Sequence, residues 1–242
     1  MADDPENLID VPVAKRAKGI FNWYQGSRME DFDTLIGNHH TGGGRAASVA
    51  CGDGQFEAQY LDNRFEEIIG VEFDNERVQT AKSRGVDTIC QAVPPLPFED
   101  WSLDAVVSLS SVEHFPDERQ YVEEVVRCLR PGGTFYLNMP IEVGIGGLLR
   151  FFGKNVVHPT CSKYPDSWRR FIDYSIEEFR KQTPRDKHGT GHRYYNYTYL
   201  VDDLRELFDE VEIYGWPNRW AGPCNVAYFA RATRPQKRLI NG

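Results

Sequence analysis

Ser48-Val49-Ala50-Cys51-Gly52-Asp53-Gly54-Gln55-Phe56 is the stretch on which the fold turns. The apolar run from Arg45 to Ala50 reads as a buried strand. It breaks at Gly52 and Gly54, and Phe56, Ala58, Tyr60 and Leu61 follow as a helix. A strand, a glycine-containing turn and a helix start, in that order, let a ligand approach the backbone closely. The next strand, Glu67 to Val71, ends in Glu72, about 20 residues past the glycines, where the dinucleotide-type fingerprint puts a ribose-binding acid. The turn alone is a weak signal. With the acid at that spacing it points to a cofactor that carries a ribose.

Strand and helix keep alternating downstream. Asp74 or Asn75 caps a helix running to Lys82, Val86 to Gln91 is a third strand, and three prolines keep Ala92 to Phe98 out of a helix. Leu103 to Leu109 is apolar almost throughout, as a parallel strand covered on both faces requires. A turn at Ser111–Phe115 leads into a helix, Glu118 to Leu129, with Tyr121, Val122, Val125 and Val126 as its buried stripe. Pro131-Gly132-Gly133 stops it before a fifth strand, Thr134 to Met139. These crossovers predict an α/β protein with a doubly wound, mostly parallel sheet.

Upstream, 11–44 reads as a helix over Val11–Gly26, a second short helix over Met29–Ile36 and a flexible joint into the first strand. The joint's His39 and His40 read as solvated loop residues rather than metal ligands. The rhythm fails from Pro140 for about 55 residues. It resumes with a helix at Asp202–Phe208, a strand at Glu210–Tyr214 and a final strand at Asn225–Arg231, expected antiparallel, before a basic tail at 234–242. The division expected is a single domain over 1–242: a helical segment at 11–44, a cofactor-binding core at 45–140, an inserted substrate cap at 141–200, and a last helix and strands at 201–231.

Composition narrows the function classes. The 242 residues are 40% hydrophobic and 13% aromatic, enough for a core, which excludes global disorder. The net charge of −8 disfavours a nucleic-acid partner, because phosphate backbones demand a basic footprint. The five cysteines are scattered without CxxC spacing, which suggests a reducing compartment and argues against structural zinc. With no leader-like or membrane-length run, the expected location is the cytoplasm.

Four stretches, ACGDG (50–54), GVEFD (70–74), LPFEDWSLDAVVS (96–108) and SSVEHFPDERQYVEEVVRCLRPGG (110–133), resemble in sequence and order the class I S-adenosylmethionine-dependent methyltransferases of the small-molecule type. The resemblance covers roughly 45–140 and implies a seven-stranded Rossmann-like sheet with its cap after strand five. It also implies S-adenosyl-L-methionine as cofactor. The backbone of Ala50, Cys51, Gly52, Asp53 and Gly54 would hold the methionine end, and Glu72 the ribose hydroxyls. Phe73 would lie against the adenine, Ala92 and Val93 at its edge, and Ser108 and Leu109 below the sulfonium. Trp23 and Tyr24 would close over the site. The chain departs from the family at three places. Ser48 stands where an acid is usual, Ala50 where a glycine is, and Ala92 where an acid often meets the adenine amino group. A lost charged hydrogen bond costs roughly 1.5–3 kcal/mol, and a protein that keeps the fold without catalysis is the reading from a different class.

The sulfonium carries its own leaving group, so the protein mainly aligns an in-line displacement. A carboxylate acceptor wants a cation or donor to orient it. A hydroxyl acceptor benefits from a base, for which His114, with Glu113 beside it, is the candidate; the alternative is that His114 bonds the local turn. Glu113-His114 also resembles a turn that holds metal in ubiquinone-pathway O-methyltransferases, but Ser110 replaces a further acid there, so no metal is expected. Arg169, Arg170, His192, Arg193 and Tyr195 combine guanidinium groups with flat rings, which suit a carboxylate on a sugar; a small cap core with surface arginines is the plainer reading. The apolar stretch 141–157 reads as a lid, or as an interfacial segment reaching a lipid-linked acceptor. With arginine exceeding lysine, the chain resembles the hexuronic-acid methyltransferases of archaeal (haloarchaeal) protein N-glycosylation, which implies a methyl ester on a lipid-linked glycan. A quinol- or phenol-type hydroxyl is the alternative acceptor.

Overall fold

In the computed structural model, residues 15–40, 42–141, 143–149, 195–218 and 220–236 are described, with side chains from Tyr24 onward except that of Pro223. Helix α1 (Lys15–His39) leads to β1 (Arg45–Val49), a π-helical segment (Glu57–Leu61), β2 (Glu67–Glu72), α2 (Asn75–Ser83), β3 (Asp87–Cys90) and β4 (Leu103–Leu109). A 3-10 turn (Val112–His114), α3 (Glu118–Cys128) and β5 (Leu129–Pro140) follow. The chain ends in α4 (Tyr197–Leu207), β6 (Phe208–Trp216) and β7 (Ala227–Pro235). The seven strands lie in the order β3-β2-β1-β4-β5-β7-β6. β1 to β5 pair in parallel, and β7 runs antiparallel between β5 and β6.

Strand side chains alternate between two buried layers. Ala47, Val49, Val106, Phe135 and Leu137 meet α3 and α4 on one face. Ala46, Ala105, Val107 and Tyr136 meet α1 and the π segment on the other. Helix starts follow their caps. Asp74 accepts from the amides of Glu76 and Arg77, Asp117 from Gln120 and Asn196 from Thr198.

Several expected boundaries move; β5, expected from Thr134 after Pro131-Gly132-Gly133, already starts at Leu129. The two N-terminal helices are one, unbroken at Gly26. A mid-helix glycine costs about 1 kcal/mol, less than burial of Phe32, Leu35 and Ile36 returns at roughly 1.5–3 kcal/mol each. The last helix starts at Tyr197, not Asp202, because Asn196 caps it there and Leu200 and Leu204 belong to one buried stripe. The limit of the cap expected at 200 therefore cuts through α4. β7 continues to Pro235, since pairing with β5 carries it to Thr233 and pairing with β6 on into the expected tail.

Candidate cofactor site

The site forms where β1, β2 and β4 end together. Ala50, Gly52 and Gly54 all adopt positive φ, at 54°, 59° and 73°. Gly54 is forced by packing as well, because a Cβ there would lie 2.9 Å from the Ala81 side chain and 3.0 Å from its Cα on α2. Gly52 is the opposite case. Nothing lies within 4 Å of where its Cβ would be, so the loop presents open space there. Ala50 holds the left-handed conformation with a Cβ, at a cost of roughly 1–2 kcal/mol.

Glu72 is 3% exposed, and its carboxylate is built into this loop. Oε2 accepts the Gly52 amide at 2.9 Å, while Oε1 accepts those of Phe73 at 2.9 Å and Asp74 at 3.0 Å. The acid expected to grip a sugar diol is thus a bonded strut. Two lone pairs per oxygen leave Oε2 room for one further donor. Phe73 beside it is 69% exposed, a flat apolar face at the edge of the site. Ala92 and Val93 follow β3, brought alongside by the Gln91 amide, which donates to the Glu72 carbonyl at 2.9 Å.

Beyond β4, Ser111 Oγ donates to the Val49 carbonyl at 3.4 Å, tying the turn of Glu113 and His114 to the end of β1. Glu113 is buried, whereas His114 lies at the surface. Its ring is nevertheless crowded enough that desolvation lowers its pKa below the ordinary imidazole value. Burial pushes the Cys51 thiol up, with Glu57 and Glu72 adding to the effect, so the thiol stays protonated at neutral pH.

The side chain of Ser108 is not in the site. It is fully buried on the α3 face, where its hydroxyl is 2.6 Å from that of Tyr121, because alternation along β4 sends Leu109 to the α1 face and Ser108 to the other. Tyr195 is likewise packed into the main core at 6% exposure, with its hydroxyl 3.4 Å from Glu118 Oε2. Arg169, Arg170, His192 and Arg193 lie outside the described residues, as does the side chain of Trp23. Tyr24 packs edge-on against Trp216 with ring centroids 4.9 Å apart. His40 bonds the Gly43 carbonyl at 2.8 Å and lies against Phe65, a structural role. Among the described residues no group of three or more His, Cys, Asp or Glu could hold a metal.

Two constellations escaped the sequence reading. Arg28 on α1 donates to Ser110 Oγ at 2.7 Å, Ser110 donates to Asn138 Oδ1 at 2.7 Å, and the Arg28 guanidinium lies 5.9 Å from the Tyr24 ring centroid. A cation is thereby held at the exit of β4. The four-residue spacing of Tyr24 and Arg28 was its only signal. The second is a bond between Ser48 and Glu57, nine residues on and just past the quoted stretch.

Residues 47–137 match a protein-family model described as a methyltransferase domain. A probable S-adenosylmethionine-dependent methyltransferase of Mycolicibacterium smegmatis is 33% identical over 107 residues, which is 43% of this chain and 41% of that protein. The phthiotriol/phenolphthiotriol dimycocerosates methyltransferase of Mycobacterium tuberculosis is 33% identical over 100 residues, 39% of this chain and 37% of the relative. The chain thus spans about two fifths of the length of these curated relatives. Among solved structures, a protein from Pyrococcus horikoshii superposes with a TM-score of 0.59 at 25% identity, covering 88% of this chain and 91% of the other. A Thermotoga maritima S-adenosylmethionine-dependent methyltransferase, described as a possible histamine N-methyltransferase, gives 0.58 at 17% identity, covering 90% and 95%. The fold is the Rossmann-like methyltransferase fold.

Proposed function

We propose that this chain is an S-adenosyl-L-methionine-dependent methyltransferase whose acceptor is a carboxylate, best matched by a hexuronic acid of a lipid-linked glycan. The observation that carries the cofactor is the unit of Gly52, Glu72 and Phe73. Open space above Gly52, one remaining acceptor position on Glu72 Oε2 and an exposed ring at Phe73 suit a ribose with a flat base beside it. When bound, S-adenosyl-L-methionine supplies an electrophilic methyl with a neutral thioether as leaving group. The loop at 50–54 would hold the amino-acid end, Glu72 would orient a ribose hydroxyl, and Leu109 would close the floor.

Arg28 favours the carboxylate. A guanidinium held by Ser110 at the exit of β4 can orient an acceptor that needs no base, because a carboxylate is already nucleophilic at neutral pH. The segment at 141–157 is the proposed route to a membrane-linked acceptor. Ile145 and Leu149, 52% and 47% exposed, support it, although most of the segment lies outside the described residues. No helix among the described residues is long and apolar enough to cross a membrane.

A second reading, a hydroxyl acceptor with His114 as base, is favoured by the lowered pKa of that imidazole, which keeps it unprotonated at neutral pH. Calorimetry with S-adenosyl-L-methionine tests the cofactor, and the absence of heat at millimolar ligand with folded protein would leave only a scaffold. Acceptor panels of uronic acids and phenols test the rest. A base-labile product is the ester expected, and a base-stable ether would replace the first reading with the second.

A further inference from the structure

Ser48 and Glu57 face each other on the α1 side of the sheet, both 1% exposed. Ser48 Oγ donates to Glu57 Oε1 at 2.5 Å. The other oxygen, Oε2, is buried with no hydrogen-bond partner. Native proteins pair nearly all buried polar atoms, so an orphan carboxyl oxygen directly under a ligand-binding loop points to a partner that arrives with the ligand. The partner's charge can be read from the surroundings. Asp53 on the loop and Glu72 at the end of β2 both act on Glu57 as like charges, and Cys51 lies close enough to feel it. The α1 residues packed on this face, Phe32, Leu35 and Ile36, are apolar. Arg84 pairs with Asp53, but the Glu57 oxygen beside these carboxylates has no partner, and it wants a cation.

We infer that Glu57 receives the α-ammonium of the cofactor's methionine end, as the buried positioning acid that Ser48, on the facing strand, does not supply. The inference rests on the S-adenosyl-L-methionine reading above. The ammonium is the cation the cofactor would bring to this end of the site, since the resemblance would put its sulfonium by Leu109, at the exit of β4. The π-helical winding of Glu57–Leu61, in which the Asp62 amide reaches the Glu57 carbonyl at 3.0 Å, sets Glu57 in the turn next to the loop. Such local π turns are frequent at functional sites. Burial raises the Glu57 carboxyl to about 7, so it is partly protonated before the ligand binds, and an incoming cation favours release of that proton.

Calorimetric titrations of the full chain at pH 6 and pH 8 test this with three ligands: S-adenosyl-L-methionine, S-adenosylhomocysteine, and 5′-methylthioadenosine, which lacks the amino-acid end. In Glu57→Gln the first two should weaken about tenfold at pH 8 and less than about threefold at pH 6, where the native acid is mostly protonated, while 5′-methylthioadenosine is unchanged. The exchange Ser48→Asp with Glu57→Ser returns the acid to the strand and should recover affinity for S-adenosyl-L-methionine to within about threefold. It also provides the test should Glu57→Gln fail to fold. Equal weakening of all three ligands, or a loss independent of pH, would overturn the inference and make Glu57 a support of the loop. If the native chain binds none of the three, the cofactor reading itself is wrong. If it binds them and Glu57→Gln binds them equally well, only the role of Glu57 is lost.

Discussion

The amide of Gly52 donates to Glu72 Oε2 at 2.9 Å, so the loop after β1 and the acid that ends β2 form one hydrogen-bonded unit. Order in the loop, and the ribose contact proposed for this site, would rest on the same carboxylate. Any change at Glu72 acts on both.

Replacing Glu72 by Ala removes the acceptor for three amides, those of Gly52, Phe73 and Asp74. The cost expected is about 3 kcal/mol, since unsatisfied buried amides cost roughly 1–3 kcal/mol each and water reaches some of them. Urea unfolding of the ligand-free protein measures it. Binding of S-adenosyl-L-methionine should fall by about a hundredfold or more, well beyond the stability effect. Unchanged stability would mean that the three bonds do not persist in solution.

Ala50→Gly is expected to stabilise. The φ of 54° is unfavourable for alanine and free for glycine, a gain of roughly 1–2 kcal/mol, from which the added freedom of the unfolded chain subtracts about half. Thermal unfolding should show a midpoint a few degrees higher. A lower midpoint would indicate that the Ala50 methyl makes contacts worth more than the strain.

Arg127 fastens the loop at 96–98 to α3. It donates to the carbonyl oxygens of Leu96 at 3.1 Å and Phe98 at 2.8 Å, and pairs with Glu124, which itself accepts the Leu96 amide at 2.9 Å. Arg127→Ala should cost about 2–3 kcal/mol and expose the 96–98 loop to proteolysis. Arg127→Lys should recover less than half, since one ammonium cannot reproduce the fork. Full recovery would show that charge alone suffices.

His114 separates the two acceptor chemistries. Its pKa is lowered by desolvation, so on a hydroxyl acceptor the rate should be flat near neutral pH and fall as pH drops through a value below the usual 6.5. His114→Ala should then lose about a hundredfold or more in kcat on a hydroxyl acceptor. Ester formation should slow only severalfold and lack the acid limb. Steady-state rates across pH 5 to 8 with each acceptor decide the matter.

The sheet was legible because its signals are local. β1, β2 and β4 are largely apolar runs, α2 and α3 carry their caps Asp74 and Asp117 in their own sequence, and the glycine turn and Glu72 sit at a fixed spacing. What escaped was set by distant partners. The continuous α1 depends on burial against β1 and β4, which overrides the local cost of Gly26. Glu72 as a loop strut depends on the Gly52 amide, twenty residues away, which meets it only after β1 and β2 pair; the Phe73 and Asp74 amides are local. Ser108 was assigned to the site from its place in the motif, whereas the alternation of β4 turns its hydroxyl to Tyr121. The Ser48 and Glu57 bond crosses from strand to helix, and no periodicity reports a contact between them.

The chain leaves the sheet after β5 and returns at α4, and both seams are fastened. The Ile141 amide is held by the Val226 carbonyl at 3.1 Å. The return is fixed by Asn196 at the start of α4 and by Arg119 of α3, which bridges to Asp203 and Glu206. A foreign segment spliced between these two seams would inherit a finished platform beneath it. If that segment sets the choice of acceptor, selectivity could be exchanged like a cartridge while the loop at 50–54, Glu72 and Phe73 stay as they are.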